Sequence, residues 1–166
     1  AQDCPWDWDP LHDAFKKVTE VLLSNQVDFD YLDEQLLEKY GRPKGKKIAL
    51  GKGEYRVLIV PHMLTLKQST VKILKTFIER GGTIVFTDPT PTMVDGEKSD
   101  AVGEILAGGV NVGRWDDGEY EKRLLEAIEG KFARSVSVDT GDENSREIVF
   151  MHRKTENEDC LLYTSD

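Results

Sequence analysis

The fold of this chain is best predicted from residues 55–87, which read YRVLIVPHMLTLKQSTVKILKTFIERGGTIVFT. Apolar runs open and close the stretch, at residues 55–60 and 83–87. The first contains four consecutive apolar residues from Val57 onward, which indicates a strand buried on both faces, as in a parallel sheet. Between the runs, apolar residues recur at helical spacing: Val71, Leu74, Phe77 and Ile78. The glycine pair 81–82 ends that helix, so the stretch predicts a right-handed strand–helix–strand unit.

The same alternation extends on both sides of this unit. Asp9 and Pro10 predict the start of a first helix, whose apolar face carries Leu11, Phe15, Val18 and Leu22. Further helices are predicted at residues 33–40, from Thr65 with Gln68 as a capping box, from Ser99, and from Asp116 with Glu119 as a second capping box. Further strands are predicted at residues 27–32, 47–50, 110–112, 135–138, 148–152 and 161–164. This order indicates an α/β fold with a mostly parallel sheet, helices on both faces, and a C-terminal strand or hairpin.

One feature departs from that pattern. The chain opens on a helix, whereas such folds usually open on a strand. We therefore expect the first strand to be missing from the fold or to lie upstream of Ala1.

Composition narrows the class of protein. The chain has 166 residues, a net charge of −9, 39% apolar residues and two cysteines, Cys4 and Cys160. The acidic balance argues against a nucleic-acid partner, and no apolar run is long enough to span a bilayer. Two cysteines near opposite ends do not make a disulfide framework, which fits a cytoplasmic protein. Four basic residues, Arg42, Lys44, Lys46 and Lys47, are interpreted as a solvated loop in preference to a phosphate site.

Candidate chemistry lies where the two main strands end. Ligands of open α/β sheets bind at the carboxyl ends of strands, which here carry His62 and Asp88. These residues could form an acid–base pair, but no nucleophile elbow accompanies them, so a turn and a helix cap are favoured. The three histidines are scattered and the glycines fit no nucleotide-binding pattern. Neither a metal nor a cofactor is expected.

Two other groups of side chains are candidate catalytic or sugar-binding sites. Asp28, Asp30, Asp33 and Glu34 cluster around one predicted strand, where a carboxylate pair could do glycosidic acid–base work. With a strand period of two, they are better explained as its solvated face. Aromatic rings stack on sugars, so Trp6, Trp8 and Trp115 are candidate sugar contacts, although packing on a neighbouring domain is favoured.

A succession of segments resembles a known family: residues 27–32, 55–61, 64–66, 77–86 and 91–100. It is similar to the class I glutamine-amidotransferase-like domain, flavodoxin-like in fold, of large bacterial glycoside hydrolases. Relatives include the trimerisation domain of beta-galactosidases and the corresponding domain of alpha-L-rhamnosidase-like enzymes. The resemblance implies a three-layer flavodoxin-like sheet, catalytic carboxylates on a preceding barrel, and a following β-sandwich. The Cys and His of the amidotransferases have no counterparts, so no catalytic residue is carried over.

The resemblance also implies a domain organisation. Residues 1–140 form the amidotransferase-like domain, and residues 141–159 form its last strands or the start of a β module. Residues 160–166 resemble the translation of a sequencing adapter used on metagenomic DNA, so the native chain is expected to diverge near Asp159.

The expected function is therefore a non-catalytic structural or assembly domain of a bacterial glycoside hydrolase. Its partners would be the barrel and β-sandwich of the parent chain, or further copies of itself. The alternatives are a carbohydrate-binding module that uses exposed tryptophans, and a small stand-alone α/β enzyme.

Overall fold

The fold is that of a computed structural model, which describes residues 9–134, 136, 148–154 and 159–164. Its helices are α1 (Asp9–Ser24), α2 (Glu34–Tyr40), α3 (Gln68–Glu79), α4 (Ala101–Gly108) and α5 (Tyr120–Ile128). Its strands are β1 (Arg42–Lys44), β2 (Lys47–Leu50), β3 (Gly53–Tyr55), β4 (Val57–Val60), β5 (Thr65–Leu66), β6 (Thr83–Asp88), β7 (Met93–Val94), β8 (Glu97–Lys98), β9 (Val110–Arg114), β10 (Val149–Lys154) and β11 (Asp159–Thr164). The chain is therefore of mixed α/β class, as predicted.

The chain divides into two compact units. The first contains residues 1–15 and 32–132, and the second contains residues 16–31 and 133–166. Helix α1 crosses the boundary. The predicted boundaries at residues 140 and 159 do not coincide with this division and stay predictions.

A parallel sheet forms the centre of the first unit. Its order among the described strands is β4-β6-β9, with Val57 opposite Thr83 and Val60 opposite Phe86. Helix α3 connects β4 to β6, and α4 connects β6 to β9, which confirms the predicted strand–helix–strand unit. The middle strand β6 is buried at four consecutive residues from Ile84 to Thr87, as expected of a strand covered on both faces. The strand that was predicted to be buried in this way, β4, is buried only at Val60 and partly buried at its other three residues.

The hydrophobic core of the first unit joins this sheet to its helices. It is a cluster of twelve buried side chains: Leu37, Ile48, Val60, Leu66, Val71, Leu74, Phe77, Ile84, Phe86, Val94, Val102 and Ile105. Because members come from α2, β2, α3 and α4 as well as from the sheet, burial of this cluster ties the small elements to the parallel strands. The finer prediction, a three-layer flavodoxin-like arrangement, stays a prediction. The described parallel sheet has three strands.

The predicted basic loop is instead a small antiparallel sheet, so that interpretation was wrong. Strands β1, β2 and β3 pair in sequence order, with Lys44 opposite Lys47 and Ala49 opposite Glu54. Gly45 and Gly51 adopt positive φ in the two hairpin turns, which favours glycine there. The predicted strand at residues 47–50 is confirmed, and it is the central strand of this sheet.

Both predicted capping boxes were also wrong. Thr65 belongs to β5, which pairs with β7, and its hydroxyl accepts a hydrogen bond from the Gly96 amide at 3.0 Å. The N-terminus of α3 is bound instead by distant carboxylates. Glu34 accepts from the Lys67 amide at 2.9 Å, and Asp95 accepts from the Gln68 amide at 3.3 Å. Tertiary contacts thus replace the local cap, which sequence spacing cannot reveal.

The second unit contains the later turns of α1, residues 27–31 and the β10–β11 hairpin. The predicted strand at residues 27–32 is not formed, and the hydroxyl of Tyr31 lies 3.0 Å from that of Thr19. Strands β10 and β11 pair antiparallel, with Phe150 opposite Tyr163, which agrees with the predicted hairpin. The predicted strand at residues 135–138 lies almost wholly outside the described residues.

Helix α1 buries two residues of the predicted apolar face, Val18 and Leu22. The buried residues are Ala14, Val18, Val21 and Leu22, whereas Phe15 is 45% exposed. None of the helices in the described part of the chain has the length and apolar character needed to cross a membrane.

Candidate functional site

The candidate site is the edge of the first unit where the parallel strands β4, β6 and β9 end. The pairing of Val60 with Phe86 places His62, two residues after β4, and Asp88, the last residue of β6, at neighbouring strand ends. Asp88 is in register with Arg114, the last residue of β9. The sequence therefore located this edge correctly, but it missed the contribution of β9.

The carboxylate of Asp88 is held by an amide. The side-chain nitrogen of Asn111 donates to Asp88 Oδ1 at 2.9 Å, and the Asn111 oxygen accepts from the Gly113 amide at 2.8 Å. Gly113 has a φ of +77°, which a side chain would strain. Asp88 precedes a cis peptide bond to Pro89 and does not cap a helix. Asn111 thus links the ends of β6 and β9.

Arg114 forms a two-pronged ion pair with its near neighbour. Its Nε and Nη2 atoms donate to the two carboxylate oxygens of Asp116 at 2.9 and 2.7 Å. Hydrogen bonding to this guanidinium lowers the pKa of Asp116. Asp116 is therefore committed to Arg114, which is why it does not serve as the predicted cap of α5.

A second arginine fastens the start of α5 to β9. Arg123 Nε donates to the Val112 carbonyl at 2.7 Å, and its Nη2 atom lies 3.1 Å from the Asp117 carboxylate. Asp117 in turn accepts from the Glu119 amide at 2.9 Å. These contacts leave Asp117, not Asp116, next to the N-terminus of the helix.

A buried hydroxyl pair lies behind this edge. Thr87 Oγ1 and Tyr120 Oη are 2.8 Å apart, and both residues are fully buried. Burial raises the pKa of Tyr120, although its hydrogen bond to Thr87 opposes the shift. The nearest hydroxyl to Asp88 in sequence is therefore enclosed and paired, not presented as a nucleophile.

His62 is half-buried, and its Nδ1 atom is enclosed without a hydrogen-bond partner. Burial lowers the pKa of His62, and the positive charge of Arg114 lowers it further, while the Pro10 carbonyl opposes the shift. Burial, the largest of these effects, favours the neutral imidazole. A lowered pKa makes His62 a weaker base and leaves less of the imidazolium form that acts as a general acid.

The state of His62 can be tested through the pH dependence of stability. In the unfolded chain His62 takes up a proton below about pH 6.5, whereas the folded chain resists this. The unfolded state then binds more protons, so the free energy of unfolding falls as the pH drops through this window. We expect His62→Gln to lose less stability than the wild type between pH 7.5 and pH 5.5, measured by urea denaturation.

The matched control is His12→Gln, because the side chain of His12 is exposed on α1. It should follow the wild-type curve. If His62→Gln loses as much stability as the wild type on acidification, His62 does not resist protonation in the fold.

The remaining candidate residues fall in different places. Trp115 follows β9 and is half-buried, between exposed Arg114 and Asp116, whereas Trp6 and Trp8 lie outside the described residues. Asp28 and Asp30 are exposed, and Asp33 caps α2 by accepting from the Gln35 amide at 2.7 Å. The four carboxylates near residue 30 thus include two residues with structural contacts, since Glu34 binds the start of α3. In the described residues no group of three or more His, Cys, Asp or Glu side chains could hold a metal ion.

Comparisons with known proteins give one informative likeness. No protein-family model matches the chain, and no curated protein matches it. The fold is similar to part of the solved structure of an apo exo-carrageenase, GH42, from Bacteroides ovatus, with a TM-score of 0.54 and 13% sequence identity. The match covers 87% of this chain and 17% of that protein. At this identity the likeness shows a shared fold.

Proposed function

We propose that this chain is a non-catalytic structural and assembly domain of a bacterial glycoside hydrolase that acts on oligo- or polysaccharides. The observation that carries the proposal is the likeness to one chain-sized part of a much larger glycoside hydrolase. The proposed finer architecture is the three-layer, flavodoxin-like, glutamine-amidotransferase-like domain. Its proposed partners are the barrel and β-sandwich of the parent chain, or further copies of the same domain.

The chemistry of the strand-end edge supports a structural role. Asp88 is bound by Asn111, and Arg114 is bound by Asp116. Burial favours the neutral form of His62, which makes it weaker as either partner of the candidate acid–base pair. The hydrogen bond between Asn111 and Asp88 joins the ends of two strands, which is what a structural edge requires.

The exposed apolar side chains of α2 also support docking to a neighbour. Leu36 and Tyr40 lie one helical turn apart on the same side of α2 and are 48% and 50% exposed. Apolar residues grouped on a surface mark interaction sites more often than those scattered singly. A domain that packs against a barrel would cover such a pair.

The proposal predicts that the chain alone does not hydrolyse glycosides. We expect no turnover of a panel of aryl α- and β-glycosides, or of oligosaccharides labelled at the reducing end, at protein concentrations of up to about 10 µM. The matched control is the His62→Gln/Asp88→Asn double variant. Turnover by the wild type that this variant abolishes would establish a stand-alone enzyme and overturn the structural role.

A carbohydrate-binding module is the second candidate. It is favoured by the position of half-buried Trp115 between charged side chains at the strand-end edge. A shift of intrinsic fluorescence on titration with neutral oligosaccharides, lost in Trp115→Phe, would support it. A titration without a shift across the panel would leave the structural role.

A further inference from the structure

The antiparallel sheet β1-β2-β3 carries a concentration of positive charge that the strand-end edge does not explain. Residues 42–56 contain six basic side chains and a single acidic one, although the whole chain has 22 basic and 31 acidic residues. The basic residues are Arg42, Lys44, Lys46, Lys47, Lys52 and Arg56. We call these six residues the basic sheet. Such a segment creates a positive electrostatic potential around it, although the net charge of the whole chain is negative.

The pairing of the strands places several of these charges on one face. Ile48 is fully buried, so its neighbours along β2 point to the opposite, outer face. Lys47 lies on that outer face with its partner Lys44 directly across, and Arg42 lies across from Ala49. Neighbouring strands are about 4.8 Å apart, so these three cations lie on two adjacent strands of a three-stranded sheet that is about 10 Å across.

The two hairpin turns extend this platform. Lys46 and Lys52 occupy the turns between the strands, and both are exposed. The side chain of Lys46 passes close to Gly81 at the end of α3, where a Cβ would come within 3.3 Å of its Cε atom. Arg80, directly after α3, also reaches this region, since its guanidinium donates to the Pro43 carbonyl. Positive charge therefore continues from the sheet to the C-terminus of α3.

The negative charge within the sheet does not balance these cations. Glu54 lies 2.5 Å from Lys47 Nζ and 3.7 Å from Lys44 Nζ, so one carboxylate serves two lysines. Arg42 donates to the carbonyl oxygens of Gly41 and Lys39, at 2.7 and 3.0 Å. Lys44 opposite Lys47 is a like-charge pair, which by itself destabilises a sheet. Glu54 offsets part of this repulsion, and the sheet keeps an excess of positive charge.

We propose that the basic sheet binds an anionic polysaccharide that carries sulfate esters. The inference rests on the proposed function, because a domain of a polysaccharide-degrading enzyme meets polymeric substrate. Fixed negative charges repeated along a chain match cations spread over a flat sheet about one disaccharide wide. Sulfate esters accept hydrogen bonds from Lys and Arg through several oxygens and stay ionised at every physiological pH.

The test is binding of the full chain to soluble polymers, measured by affinity electrophoresis and by fluorescence anisotropy of labelled oligosaccharides. The probes are iota-carrageenan oligosaccharides (sulfated), polygalacturonate (carboxylated), agarose oligosaccharides (neutral) and double-stranded DNA. We expect retardation by the sulfated polymer, none by the neutral one, and loss of binding between about 50 mM and 500 mM NaCl through screening.

The variant that tests the surface is Lys44→Gln/Lys52→Gln/Arg56→Gln. It removes three exposed charges and keeps the Lys47–Glu54 contact. The matched control is Lys16→Gln/Lys72→Gln/Lys122→Gln, which removes three exposed lysines from helices α1, α3 and α5. Both variants carry the same net charge. We expect about tenfold weaker binding for the sheet variant and less than about twofold for the control.

Each outcome decides the inference. Equal loss in the two variants would reduce the effect to net charge and overturn it. Equal or tighter binding of DNA or polygalacturonate would make the surface a general polyanion site, which also overturns it. No binding to any polymer would overturn it while leaving the domain assignment intact, because that assignment is tested by the neighbouring reading frame.

Discussion

Replacing Phe77 by alanine is expected to lower the free energy of unfolding by about 3–5 kcal/mol, the usual cost of truncating a buried phenylalanine. Phe77 is fully buried in the core cluster of the first unit. Its ring lies over Gly82, where a Cβ would come within 2.2 Å of it. The ring therefore seals the α3–β6 turn, and its loss would leave a cavity beneath the parallel sheet. Urea denaturation followed by far-UV circular dichroism measures the change.

The control for this prediction is Leu36→Ala on α2. Leu36 is half exposed, so its truncation should cost less than about 1 kcal/mol. If Phe77→Ala also costs less than about 1 kcal/mol, the core is not organised around the α3–β6 unit. Should Phe77→Ala fail to fold, Phe77→Leu keeps most of the volume and gives a smaller loss to compare.

The second large effect is expected from the buried pair of Thr87 and Tyr120. Thr87→Val leaves the Tyr120 hydroxyl buried without its partner 2.8 Å away, which we expect to cost about 1–3 kcal/mol. Tyr120→Phe in turn leaves the Thr87 hydroxyl buried without its partner, which should cost a similar amount of free energy. In the double variant both partners are apolar, so the total should be clearly smaller than the sum of the single changes.

The measurement is a double-mutant cycle on the free energy of unfolding. A coupling energy of about 1 kcal/mol or more between Thr87 and Tyr120 is expected, because the two residues share one hydrogen bond. Thr65→Val with Tyr120→Phe is the matched control, since Thr65 binds the Gly96 amide elsewhere in the first unit. Strict additivity for Thr87 and Tyr120 would show that this bond does not tie β6 to α5.

Periodic apolar sequence predicted the framework of the first unit well. The four-residue run from Val57, the helical spacing that includes Phe77, and the glycine pair before Thr83 all correspond to observed elements. These signals are reliable because burial on both faces of a strand and on one face of a helix leaves a direct pattern in the sequence.

The starts of α3 and α5 were predicted less well, because the residues of the expected caps bind other partners. Thr65 and Asp116 have the residue types of caps, but each is engaged elsewhere, in β5 and with Arg114 respectively. The amides at the start of α3 bind Glu34 and Asp95, which are about 30 residues away in either direction. Such long-range partners depend on tertiary packing and leave no local signature.

The candidate site could be predicted only in outline. The ends of β4 and β6 identified His62 and Asp88, because the carboxyl ends of parallel strands meet at one edge. The roles of Asn111, Arg114 and Tyr120 were missed, since the predicted strand at residues 110–112 ended two residues before Arg114. The position of Arg114 after a short strand was the available signal, because a third parallel strand would end at the same edge.

The central claim is that this chain is one domain of a larger glycoside hydrolase, and the most direct test is to sequence the source DNA on both sides of the coding segment with long reads. The account predicts a reading frame that continues upstream of Ala1 into a barrel domain with paired carboxylates. Downstream it predicts a frame that continues into a β-sandwich domain. A frame that starts near Ala1 and ends at Asp166 would contradict the account and identify an independent small protein, whose ligands should then be sought at the edge formed by His62 and Asp88.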